Sequence, residues 1–327
     1  MPGRATALAK LTPPRLYAIT RRERLFTLVD EKCRHHSLVW IAGPPGAGKT
    51  SLIASYLSEH KQRTLWYHID PGDADLATFF HYLAQAAQTA AGRKSLHLPA
   101  LTPEYMADVP GFTRRFMREL WAKVPLPAVL VLDNYHELPD DAGLHSMLPV
   151  VLAECPVGTT IIVISRNEVP PNFARERMYN RIGPIKWEDL RLTFEETMTI
   201  ARSVSGMDQD TLRALHTKAN GWVAGTVLLL ERFKTHEAWN AHIPSETMTG
   251  VFHYFVDQVF EMMSARERDV LMRTALLPWV TGSMAEEVSG HPDAAQVVRD
   301  LYYRGLFVDR RADVQVRFQY HDLFREF

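Results

Sequence analysis

One stretch constrains this chain more than any other: Gly43-Pro-Pro-Gly-Ala-Gly48-Lys49-Thr50. A continuous apolar run, Ser37 to Ala42 (SLVWIA), leads into it, and a helical pattern from Lys49 to His60 leads out. Such a run suits a strand buried on both faces. The glycines let the backbone curl so that successive N–H groups face one point. The N-terminus of the following helix adds positive potential there. Strand, glycine loop and helix in that order make a cradle for phosphate. Lys49 is expected to reach the β- and γ-phosphates of a nucleotide, and the Thr50 hydroxyl to ligate Mg²⁺. Chance spacing alone would give such a match in about one chain of this length per hundred. The flanking strand and helix decide against a ligand-free turn.

The alternation continues downstream. Thr64–Ile69, Ala128–Leu132 (AVLVL) and Thr159–Ile164 (TTIIVI) read as strands, with Arg181–Trp187 a short fourth or fifth one. Arg21–Cys33, Leu76–Ala91, Phe112–Trp121 and Gly143–Ala153 read as helices. Strands alternating with helices predict a parallel sheet covered on both faces, an α/β P-loop NTPase domain over 1–190 with an N-terminal arm. From Leu192 the character changes. Thr193 and Glu196 form a capping box at the start of a helix. Helical patterns cover Glu195–Ser205, Asp208–Ala219 and Trp222–Phe233, a helical domain over 191–243, and Thr235–Glu246 reads as a linker. Phe252–Met262, Ala265–Leu276 and Ala294–Tyr303 are helical, and Leu306–Arg310 and Val314–Tyr320 are β-like. Helices followed by a small hairpin predict a winged helix over 244–327.

An NTP site needs an acid for the magnesium shell on a neighbouring strand. Asp133 follows AVLVL directly, as a Walker B aspartate would. The next residue often activates or orients water, but Asn134 cannot act as a carboxylate base. His136 and Glu137 are close by in sequence, with no direction assigned. Binding is therefore expected, with hydrolysis slow. Arg166 ends the third strongly apolar strand on the ligand side of an α/β sheet. It suits a reader of the γ-phosphate or a surface arginine.

Composition closes other routes. Lys plus Arg total 37 against 38 for Asp plus Glu, so no bulk positive charge points to nucleic acid. The short basic run Arg114–Arg118 reads as a solvated face, and no DNA binding by this chain alone is expected. The 2 cysteines, Cys33 and Cys155, sit far apart without zinc spacing. No apolar stretch approaches the ~18 residues of a membrane helix, and no signal-peptide core is present. A cytoplasmic location is the default. The His35-His36 pair reads as a solvated turn, and Phe252, Phe255, Val256, Val259 and Phe260 as a packing face.

Taken together, the motifs resemble the nucleotide-binding core of the MalT-like STAND ATPases, which include large LuxR-type regulators. Arg22-Glu-Arg-Leu25 looks like the family's segment before the first strand. Gly43–Thr50 matches its phosphate loop, Val129–Leu138 its Walker B and Ile162–Asn167 its sensor strand. Asn220-Gly221-Trp222 is similar to a helix start in its helical domain. Gly305-Leu306-Phe307 and Tyr320-His321-Asp322-Leu323-Phe324 resemble motifs of its winged helix. The resemblance covers about Lys10 to Phe327. It implies that Ile19, Arg22, Gly43, Gly46, Ala47, Gly48, Lys49, Thr50, Ser51, Arg166 and His321 contact ATP or ADP. It further implies that Lys49, Asp133 and Arg166 serve catalysis and that Thr50 and Asp133 hold Mg²⁺. His321 is expected on the ADP β-phosphate. Where Asn134 stands, the family usually has a second acid. Relatives continue into a helical sensor array and often a helix-turn-helix, so the chain, ending at HDLFREF, looks like a trimmed piece.

The resemblance thus implies an ATP/ADP switch, closed with ADP and open and self-associating with ATP, whose output domain lies outside this chain. The competing readings are a steadily hydrolysing motor or loader ATPase and a scaffold that binds no nucleotide.

Overall fold

The computed structural model describes residues 8–16, 19–92, 96–202, 207–235, 260, 263–277, 279–303, 308–312 and 316–320. The chain forms two compact units, Met1–Ala42 with Lys49–Lys186, and Gly43–Gly48 with Trp187–Phe327.

The first unit is built on five parallel strands: β1 (Leu38–Ala42), β2 (Arg63–His68), β3 (Ala128–Asp133), β4 (Thr159–Ser165) and β5 (Ile182–Ile185), in the order β2-β3-β4-β1-β5. All of β1 and β3 is buried, as their unbroken apolar runs require. Side chains alternate between faces. Leu38, Trp40, Leu65, Tyr67, Leu130, Leu132, Ile161 and Val163 share one core cluster. That cluster takes in Phe79, Phe80, Phe112, Phe116 and Leu148 of α3 (Leu76–Ala91), α4 (Val109–Lys123) and α5 (Gly143–Ala153). Helix α1 (Glu23–His35) packs against β1 and β5. Helix α2 (Lys49–Glu59) follows the glycine loop.

Two of the boundaries that differ from the sequence pattern do so for a local reason. Helix α4 starts at Val109, earlier than Phe112, because the Asp108 carboxylate accepts from the Gly111 N–H and Pro110 suits a first turn. The expected strand Arg181–Trp187 is only β5, with Trp187 already opening a short helix. Pro184 lacks an N–H, and β5 is the edge strand where that is tolerated.

In the second unit, α6 (Phe194–Ala201) starts at the Thr193/Glu196 capping box, and α7 (Gln209–Ala219) at Asp208. Asn220 and Gly221, both left-handed, turn the chain into α8 (Val223–Thr235). Helices Ala265–Thr274, Gly282–Ser289 and Ala294–Tyr303 precede an antiparallel hairpin of β6 (Val308–Ala312) and β7 (Val316–Tyr320). Helix Gly282–Ser289 was missing from the pattern reading. It buries only Ala285 and Ser289, so its periodicity is faint. Its signals are the Thr281 cap and the left-handed Gly290. The Tyr320 and Thr274 hydroxyls, both buried, lie 2.6 Å apart and pin β7 to a helix. Phe260 packs against this core. The expected helix 252–262 otherwise lies outside the described residues, as do the linker past Thr235, residues 304–307 and His321.

Candidate functional site

In the first unit the chemistry gathers at the C-terminal ends of β2, β3 and β4 and the start of α2. Parallel register sets His68 opposite Asp133. Asp133 is buried, and its Oδ1 accepts from the Thr50 hydroxyl at 3.0 Å and from the Asn134 N–H at 3.1 Å. Its Oδ2 lies 3.5 Å from His68 Nδ1. Asn134 is left-handed, with φ 60°, a conformation asparagine tolerates better than most residues. That turn brings its side-chain amide within 3.1 Å of His68 Nε2. The bond to Asp133 holds the His68 imidazole above its ordinary pKa.

Lys49 is buried beside this cluster. Burial, then the positive charge of Arg166, lowers its pKa to about 7 against the opposing pull of Asp133. Arg166 follows β4, and its backbone N–H donates to His136 Nδ1 at 3.3 Å. The accepting Nδ1 places the proton of a neutral ring on Nε2. Burial, with Arg166, Lys49 and His68 nearby, pushes His136 down to about 3, so the ring stays neutral at physiological pH. Cationic groups and one buried carboxylate thus surround a place where a polyanion and a divalent cation would relieve the imbalance.

No group of three or more His, Cys, Asp or Glu among the described residues could hold a metal by itself. Thr50 and Asp133 instead present two hard oxygens 3.0 Å apart. That donor set fits Mg²⁺, which takes few protein ligands and completes its shell with water and substrate phosphate.

The glycine loop groups with the second unit. Gly46 and Gly48 have φ of 70° and 79°, the left-handed region that spares only glycine from strain. The Trp222 indole N–H donates to the Pro45 carbonyl at 2.9 Å, and the Ala224 N–H to the Gly46 carbonyl at 3.0 Å. Ala47 is fully buried.

Of the other residues expected at a nucleotide, Arg22 is buried at the start of α1, Ser51 is half-buried in α2, and Ile19 is 40% exposed. The geometry brings Lys49, Thr50, Asp133 and Arg166 together. His68 was missed because its place beside Asp133 depends on strand order and register, which sequence spacing does not carry. Trp222 was noticed only as part of a motif, with no signal of its bond to the loop. The run Arg114–Arg118 sends Arg115 to Glu119 and Arg118 to Glu154.

Known proteins give the arrangement its relatives. Residues 32–170 match an AAA domain, and residues 256–327 match the MalT winged helix domain. The HTH-type transcriptional regulator MalT of Vibrio campbellii is 28% identical over 98% of this chain and 36% of its own length. The chain is thus similar to MalT along nearly its whole length. MalT of Klebsiella pneumoniae is 27% identical over 96% of the chain and 35% of its own length. The chain spans about a third of the length of the curated relatives it matches. A Walker-type ATPase of Pyrococcus abyssi shares the fold, with a TM-score of 0.61 at 13% identity, over 94% of this chain and 95% of its own. The fold is that of a P-loop NTPase with a winged helix, the class that binds nucleotide. No helix among the described residues is long and apolar enough to cross a membrane.

Proposed function

We propose that this MalT-like chain is the nucleotide-binding core of a STAND-type switch that takes ATP and ADP with Mg²⁺ in the cytoplasm. The observation that carries the reading is the Thr50–Asp133 hydrogen bond beside the buried Lys49, Walker A and Walker B side chains in contact. Lys49 would bind the β- and γ-phosphates, with the N–H groups of Gly46 and Gly48 and of the first turn of α2 beside them. Arg166 would read the γ-phosphate. Mg²⁺, when bound by Thr50 and Asp133, would offset phosphate charge. Ile19, Arg22 and Ser51 would complete the nucleotide contacts.

Hydrolysis is slow on this reading, because the Asn134 amide is engaged with His68 and supplies no base. The ligand then acts by its differential affinity for two states. ADP would favour a closed form of the segments 1–190, 191–243 and 244–327, with His321 on its β-phosphate. ATP would favour an open form that self-associates, passing the signal to an output domain of a longer protein. DNA binding belongs to that output and not to this chain.

The deciding experiment denatures the purified protein and identifies any released nucleotide, then measures ADP and Mg·ATP affinity, turnover and assembly state. Bound adenine nucleotide, turnover well below 1 s⁻¹ and ATP-dependent association are expected. Sustained turnover near 1 s⁻¹ or above, the range of ordinary enzymes, would replace the switch with a motor. No nucleotide and no affinity would overturn both. His321→Ala should weaken ADP roughly 10- to 100-fold, as one hydrogen bond to a charged group suggests, and ATP less.

A further inference from the structure

We infer that Trp222 is a positioning residue for the phosphate loop, and that it aims the Gly46 amide through the Pro45 carbonyl. The inference rests on the reading of Gly43–Thr50 as a phosphate cradle. In a trans peptide the C=O and N–H point in opposite directions. The Trp222 indole N–H holds the Pro45 carbonyl at 2.9 Å. The Gly46 N–H, on the same peptide plane, is thereby aimed away from the indole. The Ala224 N–H holds the Gly46 carbonyl at 3.0 Å, which sets the next plane, whose Ala47 N–H turns back to donate to the Pro44 carbonyl at 3.3 Å. Left-handed Gly46 and Gly48 supply the curl, the Ala224 bond and the Ala47–Pro44 turn hold it closed, and the Trp222 bond fixes the direction in which it presents the Gly46 amide.

The chain invests in delivering Trp222 to this place. Asn220 and Gly221 are consecutive left-handed residues. The Gly221 carbonyl accepts from the Leu192 N–H at 2.8 Å, and the Asn220 side-chain carbonyl accepts from Arg191 at 3.2 Å. A Cβ at Gly221 would lie 2.9 Å from the Leu192 carbonyl oxygen and 2.9 Å from Arg191 Cβ, so only glycine fits. The indole itself is fully buried. Buried tryptophan N–H groups usually find a partner, and here the partner is a carbonyl of the glycine loop.

The test compares wild type with Trp222→Phe and with a variant carrying β-(3-benzothienyl)alanine at 222, which keeps the indole shape and loses only the N–H. Affinities for ADP, inorganic pyrophosphate and adenosine are measured by calorimetry beside the melting temperature. Loss of one neutral hydrogen bond predicts about three- to tenfold weaker ADP and pyrophosphate binding, with adenosine unchanged. In ¹⁵N-tryptophan spectra of wild type, the indole resonance absent from the variants should shift with pyrophosphate and not with adenosine. Wild-type phosphate affinity in the benzothienyl variant would overturn the inference, as would a lower melting temperature with no change in binding. Should Trp222→Phe fail to fold, the shape-preserving variant still decides. A wild type that binds neither ADP nor pyrophosphate would overturn the nucleotide reading itself.

Discussion

The loop after β1 and the turn after β3 both end buried parallel strands, yet they are made from different materials. The first is backbone work: two left-handed glycines, carbonyls tied back by Trp222 and Ala224, and a lysine at its exit. The second is side-chain work: Asp133, Asn134 and His136, with His68 reaching in from β2. A polyphosphate offers many equivalent oxygens, which repeated amides can satisfy together. A metal ion and an attacking water need few donors at fixed points, which side chains supply. The loop should therefore fail when its cation or its support is removed, and the turn should respond to changes of side-chain chemistry.

The largest effect expected is at Lys49. Replacement by alanine removes the charge-assisted contacts to phosphate and should weaken ADP and Mg·ATP by more than about a hundredfold, with the fold retained by circular dichroism. Unchanged affinity in a folded variant would break the assignment of the loop.

Next comes the backbone support. Gly221→Ala places a Cβ against the Leu192 carbonyl at a φ of 73°. Strain of that kind costs about 1–3 kcal/mol, to be read from denaturant midpoints at constant slope. A shift within a few tenths of a kcal/mol would show that the turn yields easily.

The burial of Lys49 predicts a pH dependence. Its pKa is about 7 without ligand, and bound phosphate favours the charged form, so binding above pH 7 takes up a proton. Affinity should be level below pH 7 and fall by up to about tenfold per unit above it. Calorimetry at pH 8 in buffers of different ionisation enthalpy should show uptake approaching one proton, abolished in Lys49→Arg. Zero uptake in wild type would mean that the lysine is already charged before phosphate arrives.

The smallest effect concerns the turn. Asn134→Asp keeps a residue type that tolerates the left-handed backbone and adds a carboxylate next to His68. Turnover should rise several-fold to about tenfold, less than the ~10²–10⁴ of a well-placed base, with nucleotide affinity changed little. A wild type that is already fast and insensitive to this change would put the base elsewhere.

Much of the parallel sheet was legible because residues buried on both faces must be apolar throughout. SLVWIA, AVLVL and TTIIVI could hardly be anything else, and they became β1, β3 and β4. Glycine spacing likewise announced the loop, since its backbone needs φ values that other residues resist. Caps marked α6 and α7 through Thr193, Glu196 and Asp208. Helix Gly282–Ser289 escaped because a helix that buries so little leaves almost no periodic trace.

By itself, then, the sequence determined most of the strands and the longer helices, and it set Lys49, Thr50 and Asp133 in motifs with one expected chemistry. Those properties follow from local sterics, from apolar patterning and from a motif read along the chain. Only tertiary structure decided that His68 stands beside Asp133, that His136 receives the Arg166 N–H, and that Trp222 holds Pro45, which is 177 residues away. Such neighbours are set by strand order and by which N–H a carbonyl meets. Hydrogen bonds between residues remote in sequence leave no periodicity for a sequence to display.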